Sequence, residues 1–362
     1  MKKRIKLFDP IIGTKEEIAI NKVLKSGYWA SGSGVGNVQK FEKKFNEYIG
    51  SNSCVTVNNG TSALQLAVSL FDVKNSEIIM PSLSFVSTAH SALYNNAKPV
   101  FVDVDPKTLC IDVEKIKKHI TRKTKVIIPV HFGGFPADLD KIRKICKENQ
   151  INLVEDAAHA AGAKYKEKKI GTVSEAICFS FHPVKNLAMP NGGAITLNGK
   201  KNKVNSNLIK IKRWCGISNR HNSQYDITEL GWNAYLNEFS AVIGLEQLKK
   251  LDKMNKIRKK IAKQYSTEIN LEEKMPFSQD CSYHFFWIQV DNREKFMKKL
   301  FEKGIEIGTH YSPIHKMKFY KNKVKLPITE SVASKIVTLP IHPNLSENDV
   351  DKIIQNVNKF SN

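Results

Sequence analysis

Paired cysteines are missing from this chain. Its six cysteines, Cys54, Cys110, Cys146, Cys178, Cys215 and Cys281, include no Cys-x-x-Cys and no metal-ligand spacing. A disulfide-stapled miniprotein is excluded and no metal is expected; with Cys54 and Cys178 inside strand-like runs, the six read as reduced core thiols. Long apolar runs are missing too. Stretches such as Val126-Ile-Ile-Pro-Val130 fall far short of the roughly 18 residues that cross a bilayer, so no membrane insertion is expected. The basic start, Met1 to Lys6, meets Asp9 and Pro10 where an export signal needs its apolar stretch, which points to the cytoplasm. Glycine and proline are modest, 19 and 13, beside 41% hydrophobic and 25% charged residues, so neither a disordered nor a fibrous chain fits. The 362 residues leave room for one large domain and a smaller one.

Acids are scarce: 35 Asp+Glu against 57 Lys+Arg leave a net charge of +22. That excess favours anionic partners, whether nucleic acid, membrane surface or phosphorylated metabolite, without choosing among them. Part of it lies on the later portion of a helical pattern from Glu238 to Ser266, where Lys249, Lys250, Lys253, Lys256, Arg258, Lys259, Lys260 and Lys263 outnumber one acid, Asp252. No RNA- or DNA-binding motif accompanies the run, so it reads as a solvated helix face and no nucleic-acid partner is expected.

What is present is a succession of short β-branched runs. Cys54–Val57, Glu77–Met80, Pro99–Asp103, Lys125–Val130, Asn152–Glu155, Ala176–Ser180 and Gly193–Leu197 read as seven strands. Helical spacing fills Thr61 to Phe71, Ser84 to Asn95, Asp112 to Ile120 and Ala137 to Asn149 between them. Alternating strands and helices predict an α/β fold with a largely parallel sheet covered on both faces. A second cluster, strand Phe285–Val290, helix Arg293–Glu302 and a capping-box helix from Ser346 to Phe360, predicts a small α/β domain. The expected division is residues 1–245 and 246–362, inside the long helix near Gly244.

Ligands of open α/β sheets bind beyond the carboxyl ends of the strands, so polar residues just after the runs matter most. Asn58-Asn-Gly-Thr-Ser62 opens a helix after a strand, and its amides suit a phosphate, although helix capping alone accounts for the motif equally well. Asp156 ends another run and is either a cap or a carboxylate for a pyridinium nitrogen. Lys185, on the tight loop Ser180-Phe-His-Pro-Val-Lys185, is either a surface lysine or an amine for a carbonyl cofactor. Phe85 is either core or a stacking partner for an aromatic cofactor.

The ordered set is more specific than any member. Asn58 to Ala67, Pro81 to Ala89, Lys98 to Asp105, Pro129 to Gly134, Glu155-Asp-Ala-Ala-His159, Ser180 to Asn186, Ala241 to Leu248, His310 to His315 and Leu339 to Pro343 together resemble the DegT/DnrJ/EryC1/StrS sugar aminotransferases. The resemblance covers nearly the whole chain. It implies the fold type I architecture: a mostly parallel seven-stranded sheet in an α/β/α sandwich, plus a smaller C-terminal α/β domain. It also implies pyridoxal 5'-phosphate as cofactor.

Residue by residue, the resemblance makes Lys185 the Schiff-base lysine, Asp156 the partner of the pyridine nitrogen and Phe85 the stacking aromatic. Gly60, Thr61 and Ser180 fall on phosphate-binding positions, and His159 on the position near the phenolic oxygen. Asn233 matches the asparagine that reaches the neighbouring subunit's cofactor phosphate, which implies a homodimer with shared active sites. Trp29, His182, Asn186, His310, Tyr311 and His315 are candidate substrate contacts. The implied substrates are a nucleotide-activated keto-sugar and an amino donor, glutamate. A keto-cyclitol or aminohydroxybenzoate enzyme is the near alternative, and a non-catalytic regulator binding cofactor or nucleotide sugar the distant one. Two stretches depart from the family: Ala188-Met-Pro-Asn-Gly-Gly193 replaces Thr-Gly-Glu-Gly-Gly after the lysine, and Gly231-Trp-Asn-Ala-Tyr-Leu236 puts Tyr235 where arginine is common.

Overall fold

The computed structural model describes residues 4–320 and 324–361. All seven strand-like runs enter one sheet: β1 Ser53–Val57, β2 Glu77–Pro81, β3 Lys98–Val102, β4 Thr124–Ile127, β5 Asn152–Asp156, β6 Ala176–Ser180 and β7 Gly193–Leu197. Their spatial order is β1-β7-β6-β5-β4-β2-β3. β7 runs antiparallel to both neighbours, while the pairs from β6 to β3 are parallel. Val126, Ile127, Val154, Ile177 and Ile195 are wholly buried, as expected of strands covered on both faces.

Helices fill the crossovers, shorter than the spacing suggests. Gly60–Val68, Ser87–Tyr94, Val113–Lys117 and Leu139–Asn149 each begin or end a few residues inside the predicted spans, because turns and caps take the ends. Asn59 caps the first of these, its Oδ1 accepting from Ser62 N–H at 2.8 Å.

One apolar cluster positions the loop after β6. Phe181 meets Phe41 and Phe45 edge to face at 5.5 and 5.1 Å, and Phe45 meets Phe179 at 5.2 Å. Such pairs each contribute about 0.5–1.5 kcal/mol beyond their buried area. They fasten the root of that loop to the helix Asn37–Ile49.

The 31-residue helix Glu238–Glu268 runs unbroken through Gly244. Ala241, Leu251 and Met254 share a cluster with Phe41 and Phe45, whereas Ile261, Ala262 and Tyr265 join Trp287, Val337 and Val357. The latter cluster also holds Ile79, Leu83 and Val102, so the C-terminal elements pack directly on the sheet layer. Ile5 bridges to Ile305, which seats the start of the described chain on those C-terminal elements. The strands Phe286–Gln289 and Ile336–Leu339 pair antiparallel there. Ser346 caps the last helix with a capping box: its Oγ accepts from Asp349 N–H at 3.2 Å and Asp349 Oδ2 accepts from its N–H at 3.0 Å.

Two expectations change. Cys215 is exposed while the other five cysteines are buried and free. Arg258 does not belong to the solvated face: it is 5% exposed and donates to the Ile341 carbonyl. Lys249, Lys250 and Lys260 are engaged by Glu246, Glu16 and Glu347, so part of the basic run is neutralised locally.

Candidate active site

Beyond the carboxyl ends of β5 and β6 lies a cavity of about 310 Å³. Its wall draws together Gly60, Thr61, Phe85, Asp156, His159, Ser180, His182, Lys185, His310 and Tyr311, ten of the residues singled out from sequence. They come from several separate elements, which the sheet topology and the packing of the C-terminal elements on it make neighbours.

Lys185 sits on a turn closed by its own N–H donating to His182 O at 2.8 Å. The loop is stitched at both sides, Phe181 N–H to Gly192 O and Met189 N–H to Phe181 O, at 2.8 and 2.7 Å. Burial drives the Lys185 amine from its ordinary 10.5 down to about 8, with Asp156 opposing the shift. An amine so poised is partly unprotonated near neutral pH and is able to act as nucleophile and base.

Asp156, 4% exposed, ends β5. Burial raises its pKa, but Thr88 Oγ1–H, Ala158 N–H, Lys185 and His131 all favour the carboxylate. The hydroxyl lies at 2.8 Å from Oδ2 and the amide at 3.1 Å from Oδ1. Thr88 in turn accepts from Ser84 Oγ–H at 2.8 Å, since its own hydrogen is committed to Asp156.

His159 is buried and held neutral, first by burial and then by Lys185, His310 and His131. Gly133 N–H donates to its Nδ1 at 3.3 Å. The ring hydrogen is therefore on Nε2, 3.1 Å from Tyr311 Oη. Burial, then Lys185, pushes His310 down to about 4. Burial also raises the Tyr311 phenol, keeping it protonated.

The opposite end of the cavity is an anion cup. The first-turn amides of Gly60 and Thr61 lie beyond the reach of helix hydrogen bonds, and Thr61 Oγ1 and Ser87 Oγ are 2.6 Å apart. A side chain at Gly60 would come within 2.7 Å of Ser180 Cβ, so only glycine leaves this cup open. Phe85 is 57% exposed at the mouth, 6.1 Å from Tyr311, with apolar surface for a planar ring. Anion cup, uncovered aromatic, buried carboxylate and depressed amine together match the groups of pyridoxal phosphate. The residues fit the cofactor.

Four expected site residues stand elsewhere. His315 is fully buried in a separate network, Nδ1 at 2.7 Å from Ser82 Oγ and Nε2 at 3.2 Å from Glu330 Oε1. Asn186 donates to Asn255 Oδ1 and Ser282 O at 2.9 and 2.7 Å, clamping the chain after Lys185 rather than facing the cavity. Trp29 is half exposed and packs on Phe239 at 5.9 Å. Asn233 is exposed and its backbone bridges to Trp214.

Two residues of the site carry no local sequence signal. Thr88 is one hydroxyl within a helix, where spacing from Ser84 is the only hint. His284 precedes a buried strand and reads as core, yet its Nε2 is 3.4 Å from Lys185 Nζ.

The model of the DegT/DnrJ/EryC1/StrS aminotransferase family matches residues 10–358. An uncharacterised protein of Methanocaldococcus jannaschii is 36% identical, over 98% of this chain and 96% of its own. The spore coat polysaccharide biosynthesis protein SpsC of Bacillus subtilis is 32% identical, over 96% and 95%. Among solved structures, Helicobacter pylori PseC, an aminotransferase involved in the biosynthesis of pseudoaminic acid, superposes with a TM-score of 0.92 at 27% identity, covering 99% of both chains.

Proposed function

Because the chain belongs to the DegT/DnrJ/EryC1/StrS aminotransferase family and is a pyridoxal-phosphate-dependent aminotransferase, we propose that it aminates a keto group of a nucleotide-activated sugar, with glutamate as donor. The observation that carries this reading is the meeting of Lys185, Asp156 and the Gly60–Thr61–Ser180 cup in one cavity. SpsC is a polysaccharide biosynthesis protein and PseC an aminotransferase of pseudoaminic acid biosynthesis, which supports a sugar acceptor here. The +22 charge suits a substrate carrying a diphosphate.

When bound, the cofactor supplies an aldehyde that takes up an amine and a ring that stores the electron pair left on the donor carbon. The protein's part is to hold and to move protons. Lys185 Nζ would take the proton from the donor's α-carbon and deliver it to the carbon that was the cofactor's aldehyde. Asp156, whose carboxylate form is favoured by the bonds from Thr88 and Ala158, would hold a proton on the ring nitrogen. Phe85 would cover one ring face, Gly60, Thr61 and Ser180 would bind the phosphate, and neutral His159 would turn its Nε2–H, now 3.1 Å from Tyr311 Oη, to the cofactor's own phenolic oxygen. His182, His310 and Tyr311, at the same cavity, line the acceptor's approach.

Asn233, exposed and outside the cavity of its own chain, is the residue through which each protomer of a homodimer would complete its neighbour's site. No helix among the described residues is long and apolar enough to cross a membrane, and we place the enzyme in the cytoplasm. The test is a panel of keto-sugar nucleotides offered with glutamate. Amino-sugar product from at least one, absent with Lys185→Ala, supports the reading; product only from a keto-cyclitol or an aminohydroxybenzoate precursor contradicts it.

A further inference from the structure

One buried titratable side chain touches the reacting amine and has no part in the steps above. His284 is 1% exposed and comes from the C-terminal half of the chain, two residues before the strand Phe286–Gln289. Its Nε2 lies 3.4 Å from Lys185 Nζ.

The position is fixed from several sides. His284 N–H donates to Gly133 O at 2.8 Å. The ring stacks on Phe8 at 5.3 Å and lies 4.6 Å from His159. Ser282, just before it, donates from Oγ to His159 O at 2.9 Å and accepts from Asn186 Nδ2 at 2.7 Å through its carbonyl. The segment carrying His284 is thus tied both to the residue after Lys185 and to His159.

Packing alone would not select histidine here. Its Nδ1 is buried without a hydrogen-bond partner among the described residues, a cost that phenylalanine of similar shape would avoid. The benefit must come from Nε2. Burial, then the neighbouring Lys185, His159, His310 and Arg258, keep the ring neutral. A neutral imidazole beside an ammonium has one useful arrangement, with its hydrogen on Nδ1 and the Nε2 lone pair toward the ammonium.

We propose that His284 is a positioning residue for Lys185, accepting a hydrogen bond from Nζ whenever the amine carries the proton taken from substrate. The contact aims Nζ and stabilises its ammonium form. It rests on the reading of Lys185 as the reacting amine.

The test compares His284→Phe, which keeps shape and stacking, with His284→Gln, which restores an acceptor. In apoenzyme, acetylation of Lys185 by acetic anhydride is followed against pH by mass spectrometry. The phenylalanine variant should move the inflection down from about 8 by about one unit, since a hydrogen bond to a charged group is lost; glutamine should bring it back. In holoenzyme, kcat should fall about tenfold with His284→Phe while KM for the donor stays within about twofold. A second readout needs no substitution: with 15N-labelled histidine, an Nε2 resonance of wild-type apoenzyme should shift across the Lys185 titration and not in Lys185→Ala. An inflection and resonance that stay put overturn the inference, as does equal loss in both His284 variants. Transamination surviving in Lys185→Ala would instead overturn the functional reading itself.

Discussion

Thr88 Oγ1 donates to Asp156 Oδ2 at 2.8 Å, joining a helix after β2 to the last residue of β5. The bond favours the carboxylate, against the burial that raises the Asp156 pKa. Thr88→Val keeps the volume and removes the donor. Cofactor affinity and kcat should each fall about tenfold, a loss in the range for hydrogen bonds to charged groups. Thr88→Ser should retain most of both. Equilibrium cofactor titration and steady-state kinetics check the pair.

The depressed Lys185 amine gives a pH signature before any substrate is added. Reconstitution of apoenzyme with pyridoxal phosphate needs the unprotonated amine, so its rate should climb with pH and level off above about 8. An ordinary lysine would still be climbing toward 10.5. The linkage has a definite sign. Between about 8 and 10.5 the unfolded chain binds more protons at this lysine than the folded one, so its contribution raises apoenzyme stability as pH rises through that window. Stopped-flow absorbance measures the rate, and urea titrations against Lys185→Met isolate the stability contribution.

Gly60→Ala should close the phosphate cup. Its new Cβ would approach Ser180 Cβ at 2.7 Å, and Ser180 sits at the end of a central strand that cannot retreat. Cofactor affinity should drop at least about tenfold while the fold survives, because misplacing the cup affects several charge-assisted bonds together. Calorimetric titration with pyridoxal phosphate, with melting of the apo form as control, reads both.

Phe45→Ala removes a wholly buried ring shared by Phe41, Phe179 and Phe181. The expected destabilisation is about 3–5 kcal/mol, the usual range for such a cavity. Lost support under Phe181 should also loosen the Lys185 loop. Chemical denaturation gives the first effect, and hydrogen exchange at residues 181–193 the second.

The sheet was legible because each strand carries its own β-branched run, and the cavity because Asn58–Ser62, Asp156 and Ser180–Lys185 all lie at the ends of such runs. Helix ends were less so: Ser84 and Phe85 fit helical spacing but lie in the turn before Ser87. His315 and Asn186 resembled pocket residues because a polar side chain after a turn looks the same whether it meets ligand or Ser82 and Asn255. Arg258 read as solvated among lysines, yet its guanidinium reaches the buried Ile341 carbonyl. Thr88 and His284 went unmarked because their partners lie 68 and 99 residues away. Local pattern marks the polar residues at a strand's carboxyl end. It is silent on the side chains that a distant element brings to the same point.

The central claim is that Lys185 is the amine through which this protein exchanges amino groups. Absorbance spectra of the protein with pyridoxal phosphate, before and after glutamate, test it most directly when Lys185→Ala is measured alongside. The predicted result is a visible band of lysine-bound cofactor in the wild type, converted by glutamate to the pyridoxamine phosphate spectrum with release of 2-oxoglutarate, and neither change in the variant. A wild type whose spectrum matches free cofactor, or a variant that still converts glutamate at the wild-type rate, would contradict it.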